Sequence, residues 1–133
     1  MIKQLFFILV LSTPCWLMAQ PVFEFNSTCQ QAFQEITRLK INSGKLLIQK
    51  ARQQNPENLI PELLDNYIDF YTLFLNEDPA ELKTRLPNFE IRLNKIKQGP
   101  ASSPFYLYCQ SMILLQRAAS VIKAGKFLDA TWD

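Results

Sequence analysis

The sequence predicts an all-α domain of antiparallel helix pairs, about five to six helices, stacked as a helical repeat behind a removable leader. Three observations carry this. From Pro61 to Leu75 (PELLDNYIDFYTLFL) the residues Leu64, Tyr67, Tyr71 and Phe74 recur at helical spacing while Leu63, Ile68, Phe70 and Leu75 cover the flanks. A helix apolar nearly all round has to be packed on several sides, so the rest of the chain is read as the helices that cover it. Around it, helix-start signals alternate with short Pro- and Gly-containing breaks, and two helix pairs share the same spacing of small residues.

Residues 1–19 are expected to be a signal peptide. Lys3 supplies the positive start, Leu5 to Leu11 the apolar run, and Leu17-Met18-Ala19 a processing site; a cut one bond later would place Pro21 first in the mature chain. Ser12, Thr13 and Pro14 end the run before it is long enough to span a bilayer. Cys15 would suit lipidation only with a small residue before it, and Pro14 stands there; an uncleaved anchor is the other alternative. The expected location is therefore periplasmic or extracellular.

Residues 20–25 form an expected extended lead-in, and 26–133 the helical-repeat domain, expected to be truncated at its carboxyl end. Asn26-Ser27-Thr28 offers caps for a first helix to about Leu39, presenting Ala32, Phe33, Ile36 and Leu39; as a glycosylation sequon it would matter only in a eukaryotic secretory pathway. A second helix is expected from Gly44 to Gln54 with Leu47, Ile48 and Ala51 on one face, stopped by Asn55-Pro56. Pro61 opens the central helix, and Asp78-Pro79-Ala80-Glu81 is a cap followed by proline at the first helical position. The fourth helix carries Leu82, Leu86, Phe89, Leu93 and Ile96, but Pro87 inside it predicts a kink or two short helices. After the loop Gln98 to Ser103, Ser103-Pro104 starts a fifth helix to Ala124, with Tyr108, Met112, Leu115, Ala119 and Ile122 as its expected buried row. Phe127, Leu128 and Ala130 begin a sixth pattern. The expectation for this end is that residues beyond Gly125 are poorly ordered and that the chain self-associates through Met112, Leu115 and Ile122.

Ala32 lies twelve residues before Gly44, and Ala118 twelve before Ala130, each pair straddling a helix-to-helix turn. With Ile41, Ile48, Ala51 and Pro56 in the first unit, and Leu114, Val121 and Phe127 in the later one, this resembles the tetratricopeptide repeat, in which small residues pack where two helices cross and a proline ends the second. The resemblance covers residues 26–58 and 113–133; the first unit lacks the family's early aromatic, and Leu59 to Gln98 is too long and contains Pro87. Together with the leader and the Ala19-Gln20 junction, the chain resembles the amino-terminal part of exported tetratricopeptide-type proteins of the Bacteroidetes. The resemblance implies a non-catalytic scaffold that binds a protein or peptide partner. The alternative is a helical domain at the amino end of a larger exported or membrane-anchored protein whose activity lies further along.

Charge and composition narrow the function classes. Lys plus Arg number 14 against 12 Asp plus Glu, a net charge of +2, which is no signature for nucleic acid. Histidine is absent, removing the commonest general base and zinc ligand. No catalytic, cofactor-binding or metal residues are assigned, no enzyme activity is expected, and the binding residues stay unassigned. Glu62, Asp65 and Asp69, with Thr72 and Asn76, form a polar seam on the central helix, expected to be solvated or groove-facing rather than acid–base machinery. Lys83, Arg85, Arg92, Lys95 and Lys97 are expected to be an ordinary solvated face. Phe105, Tyr106 and Tyr108 are expected in the core more than around a ligand. Cys29 and Cys109 are expected to be two buried thiols rather than a bridge.

Overall fold

The computed structural model describes residues 19–125, and within them it is all-α. Five helices follow one another: α1 (Ser27–Thr37), α2 (Ile41–Gln54), α3 (Ile60–Asn76), α4 (Pro79–Ile96) and α5 (Pro104–Lys123). The short links after α1 and α3 fold α1 back on α2 and α3 back on α4 as antiparallel pairs. α3 packs against all four other helices, and α4 also packs on α5. This is a stacked helical repeat with the apolar helix at its hub. The leader, residues 1–18, and the sixth helical pattern at Phe127, Leu128 and Ala130 lie outside the described residues.

The start signals act as their chemistry dictates. Asn26 Oδ1 accepts the Cys29 amide at 3.0 Å, Asp78 Oδ1 the Ala80 amide at 2.8 Å and Ser103 Oγ the Phe105 amide at 3.3 Å. Each satisfies an amide that has no partner within its helix. The lead-in is extended and pinned: Val22 donates to the Glu57 carbonyl and accepts from Leu59, while Asn58 clasps the Glu24 backbone on both sides. Phe23 then reaches the α4–α5 loop, where a Cβ on Gly99 would collide with its ring, so only glycine fits.

Several boundaries and faces differ from expectation, each for a physical reason. α1 ends at Thr37, and Leu39 leaves the helix at φ +61°, half exposed instead of buried. α2 starts at Ile41, so Gly44 lies inside it, where its missing side chain makes room for Ile36 of α1. α4 is one helix through Pro87 and not two short ones; Leu82 before it and Phe89 and Ile96 after it are all buried, so packing on both sides holds one helix together. On α5 the buried row is Cys109, Ile113, Gln116, Ser120 and Val121. Tyr108, Leu115 and Ile122 of the expected row are exposed, Leu115 at 62%. Polar Gln116 and Ser120 disguised the buried side, because a spacing rule that counts only apolar residues slides onto the neighbouring row.

Candidate functional site

α3 presents two contrasting sides, and both are built from its own sequence. The polar seam is solvated only at its far end, where Asn76 is exposed; Asp69 is only 4% exposed and Glu62 is buried. On one flank Arg52 of α2 holds Glu62 at 3.0 Å and Asp65 at 2.7 Å. On the other, α4 turns its basic residues inward. Arg85 and Arg92 grip the two oxygens of Asp69 at 2.6 and 2.7 Å, Asn88 donates to the same carboxylate at 2.9 Å, and Lys95 reaches Glu62 at 3.3 Å. Asn66, fully buried, accepts from Arg92 and donates to Gln116 of α5 at 2.7 Å. Glu62 and Asp69, expected to be solvated or groove-facing, are instead buried between helices, and the expectation of a solvated basic face is corrected too, with Lys83 and Lys97 alone of the five basic residues left exposed and outside the network. Each sign was read on its own helix, whereas the fold brings them together across two.

This network fixes charge rather than moving protons. Burial alone would raise the Asp69 carboxyl, but Arg92, Asn88 and Arg85 override it and hold the group below the usual carboxylate range. Such a carboxylate stays ionised and fully engaged near neutrality, which makes it a poor general base. Among the described residues no group of three or more His, Cys, Asp or Glu side chains converges as metal ligands. Cys29 and Cys109 are both free and fully buried. Burial pushes the Cys109 thiol up to about 12 and raises that of Cys29, where Asn58 offsets part of the effect, so neither is a ready nucleophile.

The other side of α3 is aromatic and open. Eight rings touch in succession across three helices and the lead-in: Phe105 and Tyr108 of α5, Phe25 of the lead-in, Phe33 of α1, and Tyr67, Tyr71, Phe70 and Phe74 of α3. Successive centroids lie 5.3–6.3 Å apart, within the range of favourable edge-to-face and tilted contacts. Phe25, Phe33, Tyr67, Phe105 and Tyr108 wall a cavity of about 160 Å³, floored by Ile60, Leu63 and Leu64. Phe25 and Tyr108 stand exposed at its mouth. Burial, with the Tyr108 hydroxyl beside it, pushes the Tyr67 hydroxyl above its ordinary value, so this phenol stays neutral at physiological pH.

Of the aromatic trio expected in the core, Phe105 and Tyr108 line this cavity and Tyr106 does not. Phe25, Phe33 and Tyr67 are not among the site residues that the sequence suggests. The signal for them is weak in sequence: an aromatic just before a helix cap, and aromatics at single positions of two helices, point to one place only once the helices are paired.

Compared with known proteins, the chain matches no family model, no curated protein and no solved structure.

Proposed function

We propose that the protein is a non-catalytic helical-repeat scaffold of tetratricopeptide type that is exported and binds a protein or peptide partner over the face shared by α1, α3 and α5. One observation carries the reading: a chain of eight touching rings spans three helices and the lead-in, with Phe25, Phe74 and Tyr108 exposed, while the charged residues of α3 are locked on its other side. Monomeric soluble proteins seldom leave large contiguous apolar patches open, and such patches mark interaction sites. The leader expected from Lys3, Leu5 to Leu11 and Ala19 supports export.

A test is selection of peptides from a displayed random library on the purified protein. Enriched peptides should lose binding when Tyr71 and Phe74 are changed to serine and keep it when Lys83 and Lys97 are changed. Equal loss from both pairs, or no enrichment, would count against the reading. A second reading, a helical domain within a larger exported or membrane-anchored protein, is favoured by the row Leu107, Leu115 and Ile122, exposed along the outer side of α5. Hydrogen exchange distinguishes it, since those amides would gain protection only in a longer chain carrying a further helix.

A further inference from the structure

We infer that the cavity between α1, α3 and α5 is the specificity pocket of this face and receives one aromatic side chain of an uncharged peptide segment. The inference rests on the peptide-binding reading and goes further by naming what is recognised. Size comes first. A cavity of about 160 Å³ is close to the roughly 150 Å³ of an apolar cavity known to take up benzene, so it accommodates one ring and not two.

Chemistry comes next. No charged side chain lines the cavity, so a charged guest would give up its hydration without a partner. The walls offer ring faces and edges at differing tilts, Phe33 standing at 74° to Tyr67 and Tyr108 at 79° to Phe105. That arrangement gives an aromatic guest edge-to-face contacts which a guest of aliphatic shape does not make. At the mouth, the Tyr108 hydroxyl beside that of Tyr67 provides a polar rim for the backbone next to the inserted ring.

The occupant is a peptide rather than a free ring because touching rings continue beyond the cavity, half-buried at Tyr71 and Phe70 and exposed at Phe74. From the buried Tyr67 the row passes to Tyr71, Phe70 and Phe74, seven residues along α3 or about 10 Å. That length matches about three extended residues of a bound chain. A guest confined to the cavity would leave those rings uncovered, whereas a chain anchored by one ring lays its neighbours along them. Lys123, seated over Phe74 at 5.4 Å and paired with Glu77, marks where the uncharged path ends.

The test follows the methyl resonances of Ile60, Leu63 and Leu64, which floor the cavity, in the full chain. Titrations use toluene, a short Gly/Ser/Asn peptide with one central phenylalanine, and the same peptide with leucine, alanine or glutamate at that place. The expected result is saturable shifts with toluene and with the phenylalanine peptide, the latter binding roughly tenfold or more tighter than the alanine peptide, leucine between them and glutamate silent. Leu63→Phe, which fills the space, should abolish both sets of shifts. If that variant does not fold, Tyr108→Ala, at an exposed wall position, should weaken both. Peptides that bind without moving these methyls would overturn the pocket while leaving the scaffold reading standing. Toluene binding with no preference for the phenylalanine peptide would overturn the peptide occupant, and no shift with any probe would overturn the inference outright.

Discussion

The two sides of α3 invert the usual arrangement of a helix in a water-soluble domain. Its carboxylates Glu62 and Asp69 are buried and held by Arg52, Arg85, Arg92 and Lys95, while Phe74 is 38% exposed and Tyr71 half-buried on the other side. Buried charge and exposed large apolar surface are the two observations that carry information about a fold, because scattered exposed leucines do not. The comparison teaches a division of labour. The charged side fixes how α2 and α4 sit against α3 through ion pairs, and ties in α5 through the Asn66–Gln116 hydrogen bond. The aromatic side, freed from that task, is left to face a partner.

The largest expected effect comes from breaking the charged side. Asp69→Ala removes the carboxylate gripped by both Arg85 and Arg92 and strands partly buried guanidinium groups, which should cost about 3–5 kcal/mol. Leu64→Ala, at the apolar centre of the same helix, should cost about 2–5 kcal/mol through lost burial and a residual cavity. Denaturant midpoints of the two variants therefore fall in the same range. From the sequence alone Asp69→Ala would be expected to be far milder than Leu64→Ala, Tyr67→Ala or Phe74→Ala; the burial of Asp69 and exposure of Phe74 reverse that ranking for Phe74.

Acid sharpens the same contrast. The folded Asp69 carboxyl titrates below its unfolded value, so the unfolded chain takes up the proton first as pH drops. Its stabilising contribution is thus complete above the ordinary carboxylate value of about 3.9 and is lost as pH falls below that through the lowered folded value. Urea midpoints should decline over this acid range in the wild type and decline less in Asp69→Asn. Peptide binding on the aromatic side, which has no carboxylate lining its cavity, should stay flat from about pH 5 to 8.

A smaller break lies at the crossing of α1 and α2. A methyl placed on Gly44 would come 2.5 Å from Ile36 Cγ1, a fully buried atom with little freedom to move aside. Gly44→Ala should cost about 1–3 kcal/mol by overpacking, despite alanine's better helix propensity. It should also displace α1 relative to α3, which would show as altered Phe33 ring shifts and weaker binding at the cavity.

The elements were legible because their signals are local. Asn26, Asp78 and Ser103 cap three helices by bonds within a few residues, and the hub role of α3 follows from its own apolar circumference. The site was not, because its parts are far apart in sequence. Asp69 meets Arg85 and Arg92 sixteen and more residues away, and Phe25 meets Phe105 across eighty. A charge run looks solvated until its counter-charges are placed opposite it. An aromatic looks like core until the helices around it are paired and the mouth is left open. Pro87 shows the converse: a local helix breaker is overruled when Leu82, Phe89 and Ile96 anchor both halves.

The smallest expected effect is the one that separates the two sides most cleanly. Phe74 is exposed, its ring contacts are with Phe70 and with the Lys123 ammonium, and the latter is a surface cation–π contact of about 0.5–1 kcal/mol. Tyr71 is half-buried and touches Tyr67 and Phe70. Changing Phe74 to serine should therefore lower stability by no more than about 1 kcal/mol, within the range of ordinary surface substitutions and their weak contacts. If this side exists to face a partner, the same change should weaken the selected peptides far more than it weakens the fold. Paired measurements of urea midpoint and peptide affinity on Phe74→Ser and Asp69→Asn decide it. The first should move affinity and spare stability, and the second should move stability and spare the affinity of the molecules that remain folded. Should Phe74→Ser unfold the protein, the aromatic side is holding the helices together after all, and the division of labour on α3 fails.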